Sequence, residues 1–254
     1  MRIATWNVNS LRVRLPQLHA WHQTGQADVI ALQETKLQDS EFPIDALQAL
    51  DLHAAFSGQR TYNGVAILSK APPENVVAGI PGFADEQKRV LATTINGVRI
   101  INVYVPNGQA LDSDKFQYKL GWLNALTDYV RAELMQHEKL VLLGDFNIAP
   151  EDRDVHDPQA WTGSVHVSEP ERSALRILLE LGLSDVFRKF EQAEKSFSWW
   201  DYRAAGFRRN AGLRIDLILT SQQMSEACAR CVIDKEPRKQ ERPSDHTPVI
   251  AEFA

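Results

Sequence analysis

Short apolar runs recur along this chain, and nearly every one ends in a polar residue. Ile3–Val8, Val29–Gln33, Gly64–Ser69, Val90–Ile95, Val98–Val105 and Leu140–Phe146 predict short buried β-strands. Arg214–Leu219 and Pro248–Phe253 predict two more. Asn96-Gly97 sits between two of these runs and predicts a tight antiparallel hairpin. Between the strands the apolar period lengthens, and Arg12–Thr24, Ser113–Gln136 and Glu169–Leu181 read as helices. In the longest of them Phe116, Leu120, Leu123, Leu126 and Val130 recur at about 3.6 residues, the mark of an amphipathic helix.

Hairpins, and helices that separate well-spaced strands, predict a layered α/β sandwich rather than a parallel Rossmann sheet. No Gly-x-Gly-x-x-Gly or Walker pattern follows a strand, so nucleotide-cofactor folds gain no support. Repeats and low-complexity linkers are absent. The polar segment Pro150–Ser168 reads as a long loop, not a boundary, because the polar motifs on either side of it belong together. One domain over residues 1–254 is expected.

The formal charge of −5, from 28 basic and 33 acidic residues, argues against indiscriminate nucleic-acid binding but permits a local basic face. No apolar stretch is long enough to span a membrane. The first residues start a strand-like run and lack the basic and apolar regions of a signal peptide, so a cytoplasmic protein is expected. Cys228 and Cys231 form a single Cys-x-x-Cys with no second pair, which is too few ligands for a structural zinc; a reduced pair near a helix end is expected.

The strand ends carry the chemistry. Ile3–Trp6 leads to Asn7 and Asn9, Val29–Leu32 to Gln33-Glu34, and Ile101–Val103 to Tyr104 and Asn107. Leu140–Leu143 leads to Asp145 and Asn147, which point to the same side at i and i+2. Asp216 lies in a later strand, and Asp245-His246 precedes the last. One such residue is an ordinary turn residue. Six on short strands of a sandwich predict a shared rim of carboxylates, amides, a tyrosine and a histidine, suited to a hard metal and a phosphate ester.

Trp6-Asn7-Val8-Asn9, Gln33-Glu34-Thr35-Lys36, Tyr62-Asn63-Gly64-Val65-Ala66, Val103-Tyr104-Val105-Pro106-Asn107-Gly108, Gly144-Asp145-Phe146-Asn147, Ser198-Trp199-Trp200-Asp201-Tyr202-Arg203, Gly212-Leu213-Arg214-Ile215-Asp216 and Ser244-Asp245-His246 occur in order. Together they resemble the exonuclease III / AP endonuclease branch of the endonuclease–exonuclease–phosphatase superfamily, from Met1 to about Phe253. The resemblance implies a four-layered α/β sandwich, two mixed β-sheets face to face and flanked by helices. It also implies Mg²⁺ or Mn²⁺, and hydrolysis of phosphodiesters in double-stranded DNA at 3′ ends, nicks or abasic lesions. A monomer is the default expectation.

The same resemblance assigns roles. Glu34 is the first metal ligand, with Asn7 and Asp245 completing or flanking the site, and Asp145, Asn147 and His246 within reach of the ion. Asp145 orients or deprotonates the attacking water, and Asn147 donates to a phosphate oxygen. Asp216 fixes the tautomer of His246, which faces the scissile phosphate. Tyr104 lies near the leaving group or phosphate, and Asn107 stands where relatives often have Gln. Trp199 and Leu213 match the lining of a pocket for a flipped-out sugar. Trp200 is either a wedge or core. Arg203 and Lys115, with Arg60, Lys88, Arg89, Lys119, Arg208 and Arg209, are candidate phosphate contacts. His19, His22, His53, His137 and His156 have no motif around them.

One position departs from the pattern. Where the AP endonucleases carry a small residue and then an aromatic, this chain has His166 and Val167. An imidazole at the pocket rim is expected to obstruct a nucleotide that continues on both sides of a lesion, yet admit a frayed 3′ end. Internal abasic-site incision would then be weakened relative to 3′-exonuclease, 3′-phosphatase and 3′-phosphodiesterase activity. Two rivals stand beside this reading: a phosphatase of the same superfamily acting on small or lipid phosphoesters, and a non-catalytic DNA-binding module.

Overall fold

A computed structural model describes residues 1–254. In chain order its elements are β1 (Arg2–Asn7), α1 (Leu11–Gln23), β2 (Val29–Gln33), α2 (Ile44–Gln48), β3 (His53–Ser57), β4 (Val65–Ser69), β5 (Glu74–Ala78), β6 (Val90–Ile95) and β7 (Val98–Tyr104). There follow α3 (Asp114–Leu134), β8 (Leu140–Asp145), α4 (Pro158–Trp161), α5 (Glu169–Glu180), β9 (Ser184–Asp185), β10 (Trp199–Trp200), β11 (Gly212–Leu213), β12 (Asp216–Thr220), α6 (Gln222–Ala227), β13 (Cys228–Ile233) and β14 (Val249–Phe253).

Two six-stranded mixed sheets result, ordered β13-β14-β1-β2-β4-β3 and β5-β6-β7-β8-β12-β9. The central strands β2 and β4 are buried at every position, because each sheet has one face against the other sheet and one against helices. That explains their unbroken apolar runs, which would alternate if one face met water. One apolar cluster lies between the sheets and includes Ile3, Val29, Leu143 and Ile218. A second joins β7, β8 and β12 to α3 and α5 through Trp122, Leu126 and Leu178. A third joins β1, β2 and β4 to α1 through Trp6, Leu18 and Trp21. These three interiors define the four layers expected.

Local chemistry sets the element ends. The β6–β7 hairpin turns at Asn96 (φ 51°) and Gly97 (φ 77°), both left-handed as a two-residue turn requires. Helix α3 starts at Ser113, whose side chain accepts the N–H of Phe116. Helix α5 starts with a reciprocal Ser168–Glu171 capping box. The Pro150–Ser168 segment, expected as plain loop, instead holds α4 and a 3₁₀ turn at Asp152–Asp154. A buried ionic cluster anchors it: Arg214 meets Asp154 at 2.6 Å and Asp185 at 2.8 Å, and Arg188 also binds Asp154. For this reason the strand expected from Arg214 begins only at Asp216. Cys228 and Cys231 are free and buried where α6 passes into β13.

Candidate active site

Strand register brings the polar ends into rows. Asn7 on β1 lies beside Gln33 on the parallel β2, one residue before Glu34. In the other sheet Tyr104, Asp145 and Asp216 sit side by side on β7, β8 and β12. Face-to-face packing of the sheets joins the rows, and Asn7 bridges them: its Nδ2 donates to Glu34 Oε1 and to Asp145 Oδ2, each at 2.9 Å. Glycine is required just before Asp145. A Cβ on Gly144 (φ 147°) would lie 1.9 Å from the carbonyl oxygen of Val103 on the adjacent strand.

Ligand atoms of Glu34, Asp145 and His246 all lie within 4.8 Å of one another. His246 Nδ1 is 2.9 Å from Asp216, and its Nε2 is 3.6 Å from Asp145 Oδ2. Lys36 pairs with Glu34 at 3.0 Å. Burial, augmented by Asp216 and Glu34 and only partly offset by His246, pushes the Asp145 carboxyl up to about 7. Burial alone would lower His246, but Asp216 and Asp145 overcome it and raise the ring to about 10. Burial, then Glu34 and Asp145, hold the Tyr104 hydroxyl well above its ordinary value, so it remains a donor. The ring of Tyr104 also carries the Arg89 guanidinium at 4.7 Å.

A carboxylate raised by burial, with Asp216 and Glu34 adding to it, would be relieved by a further positive charge. Two carboxylates with an imidazole beside them fit a hard divalent cation. Glu34 and Asp145 offer the oxygens. Asn7 and Asp245 flank this group rather than complete it. Asn7 Oδ1 accepts the N–H of Asn9, and its amide nitrogen faces the carboxylates, so it clamps them rather than offering an oxygen. Asp245 accepts from Asn9 and from the Trp199 indole and does not join the group. Asn147 donates its side-chain N–H to Val105 and its main-chain N–H to Asp145 Oδ1.

Beside this group lies a wall of rings. Trp199 forms an isolated bridge with His246 and pairs with Leu213 across the β10–β11 ribbon. Leu213 is fully buried with Ala149, Val155 and Ile215, so it backs Trp199 instead of presenting surface. The ring of Trp161, a residue the sequence reading did not single out, is centred 6.3 Å from Trp199 and 6.0 Å from His166. Its position in a short helix inside the Pro150–Ser168 segment gave no periodic signal. His166 itself is buried and fixed with φ 76°. Its Nδ1 is 2.7 Å from the Asn147 carbonyl, which makes Nδ1 the protonated nitrogen, and Asn107 Nδ2 meets Nε2 at 3.3 Å. Burial and the nearby Lys119 lower this ring to about 4, so it is neutral.

Of the basic candidates, Lys115 lines a cleft of about 940 Å³ with Tyr62, Asn63, Arg89, Tyr104 and Asn107. Arg203 is exposed and bound to Asp201. One expectation is corrected: Lys119 is fully buried and cannot touch a phosphate of DNA. Of the two alternatives for Trp200, the residue is core.

The chain matches the Endonuclease/Exonuclease/phosphatase family over residues 4–246. It is 38% identical to the exodeoxyribonuclease III of Haemophilus influenzae, over the whole of both chains. Its fold superposes on a 3′ phosphatase from Neisseria bound to product DNA hairpin with a TM-score of 0.98, at 51% identity, covering 100% of this chain and 99% of that one. An AP endonuclease from Archaeoglobus fulgidus gives 0.96 at 39% identity, with coverage of 100% and 99%. The chain therefore belongs to the exonuclease III / AP endonuclease branch of this family. It is a hydrolase of the exonuclease III type, a DNA repair nuclease. No helix is long and apolar enough to cross a membrane.

Proposed function

We propose that the protein is a Mg²⁺-dependent, monomeric single-domain enzyme that hydrolyses phosphoesters at 3′ ends in double-stranded DNA and incises internal abasic sites poorly. The observation that carries the metal-dependent chemistry is the convergence of Glu34, Asp145 and His246, which lie at or beside strand ends of both sheets. The exodeoxyribonuclease III and 3′ phosphatase relatives support DNA as the substrate.

Glu34 and Asp145 would hold the cation, which when bound neutralises charge on the phosphate and the departing oxygen. Asp145, oriented by Asn7 and by the N–H of Asn147, aligns the attacking water and takes its proton. His246, held by Asp216 through Nδ1, offers Nε2–H to a phosphate oxygen. The protonated Tyr104 donates on the side of the leaving 3′ oxygen. Asn107, Lys115 and Arg203 receive the DNA backbone, and Trp199 lines the sugar pocket.

His166 supports the preference for ends. Its ring is buried, held by hydrogen bonds to Asn147 and Asn107, with the Trp161 ring centred 6.0 Å away. A 3′-terminal residue needs only one backbone exit from the pocket, whereas an internal abasic residue needs two. The test compares turnover of a duplex bearing a 3′-phosphate with one bearing an internal abasic site, with and without EDTA. Expected are fast release of the 3′-phosphate, slow abasic incision, loss of both in EDTA, and faster incision in His166→Ser. Turnover untouched by the chelator would refute the metal-dependent reading. Equal rates on both duplexes, unchanged in His166→Ser, would refute the preference.

A further inference from the structure

The fold buries one lysine. Lys119 on the inner face of α3 and its partner Glu171 in the first turn of α5 both have fully buried side chains. The Lys119 ammonium has three N–H donors, and each has an acceptor. They reach Glu171 Oε1 at 2.5 Å, the Asn147 carbonyl at 2.7 Å and the Asn107 carbonyl at 3.1 Å. Glu171 in turn accepts the N–H of His166 at 2.9 Å and that of Ser168 at 3.1 Å. One ion pair thus ties together the loop after β7, the loop after β8 and the loop before α5. Those loops carry Asn107, Asn147 and His166.

Stability alone does not account for it. Replacing a buried ion pair with apolar side chains is often neutral or stabilising. Phe116, Trp122 and Leu123 already bury this face of α3, so an apolar residue at 119 would continue the stripe. An apolar side chain could not, however, hold two main-chain carbonyls from different loops. The Asn147 carbonyl matters most. Its residue has a left-handed backbone (φ 49°), and its N–H lands on Asp145 Oδ1 at 2.9 Å.

We propose that Lys119, with Glu171, is a positioning residue for turnover: it sets Asn147, and through it Asp145, against the Asn107 and His166 side of the site. The inference rests on the nuclease reading above. Neither residue reaches solvent, so neither touches DNA.

The test is Lys119→Met/Glu171→Gln, which removes both charges and keeps an acceptor for the helix cap. It is assayed on the 3′-phosphate duplex with saturating Mg²⁺. Cooperative melting is expected, with kcat down about tenfold to a hundredfold, as for other small misplacements of reacting groups. KM and DNA affinity should stay within about threefold, because neither residue touches DNA and, of the DNA-backbone contacts, only Asn107 is held by the pair. A kcat within about twofold of wild type, or a loss carried by KM instead, would overturn the proposal. Should the double variant not fold, Lys119→Gln is read for the same split, and failure of that variant to fold would overturn the proposal in favour of a purely structural pair. Absence of wild-type turnover on this duplex would instead sink the nuclease reading, and this inference with it, by a separate observation.

Discussion

Two buried clusters of charge in this protein are built on opposite plans. In one, Arg214 and Arg188 face Asp154 and Asp185. In the other, Glu34, Asp145, Asp216 and Asp245 gather around His246 and Lys36. The first is balanced and pins the Pro150–Ser168 segment to the residues just before β12 and to the end of β9. The second sets four carboxylates against His246 and Lys36, and burial, with Asp216 and Glu34 adding to it, pushes Asp145 up to about 7. A balanced cluster serves the fold, whereas an acid-rich one stores a demand that a cation and a phosphate could meet.

That contrast predicts opposite responses to mutation. Asp145→Asn should cost about 10²–10⁴-fold in turnover, the range of a lost general base, while the melting temperature stays at or above wild type. Arg214→Met should do the reverse. It leaves Asp185 unpaired and Asp154 with Arg188 alone, and denaturant titration should show a loss of about 3–5 kcal/mol. If Asp145→Asn proved the more destabilising of the two, the contrast would be wrong.

Metal addition gives a smaller effect. Mg²⁺ at about a hundred times its dissociation constant should stabilise the chelated protein by about 2.7 kcal/mol in a thermal melt, and Asp145→Asn should blunt the gain. The weakest effect is on pH. In the chelated protein Asp145 binds more protons folded than unfolded between its ordinary value of 3.8 and about 7. Its contribution is therefore fully present below 3.8 and lost as pH rises through about 7. Melting temperature against pH should show that decline, and Asp145→Asn should flatten it.

The central strands were legible because burial on both faces left runs such as Leu140–Leu143 with no polar interruption. The strands β3, β5 and β13 were not. They are sheet edges, and His53, Glu74 and Arg230 face solvent, so no run stands out. Site residues at strand ends were readable as polar breaks after apolar runs. Lys119 was misread as surface because a lysine usually is, although it falls on the stripe with Phe116 and Leu123. Trp161 and the Arg214 cluster depend on contacts between distant segments, which local periodicity cannot report.

The pairing of β1 with β14 has a consequence for synthesis. A growing chain that has emerged only as far as Asp145 holds Glu34 and Asp145 but lacks His246, and β1 has one open flank. Hydrolytic competence and closure of that flank must arrive together, only once the segment from Asp245 through β14 has been made. Until then the exposed flank invites pairing with other chains.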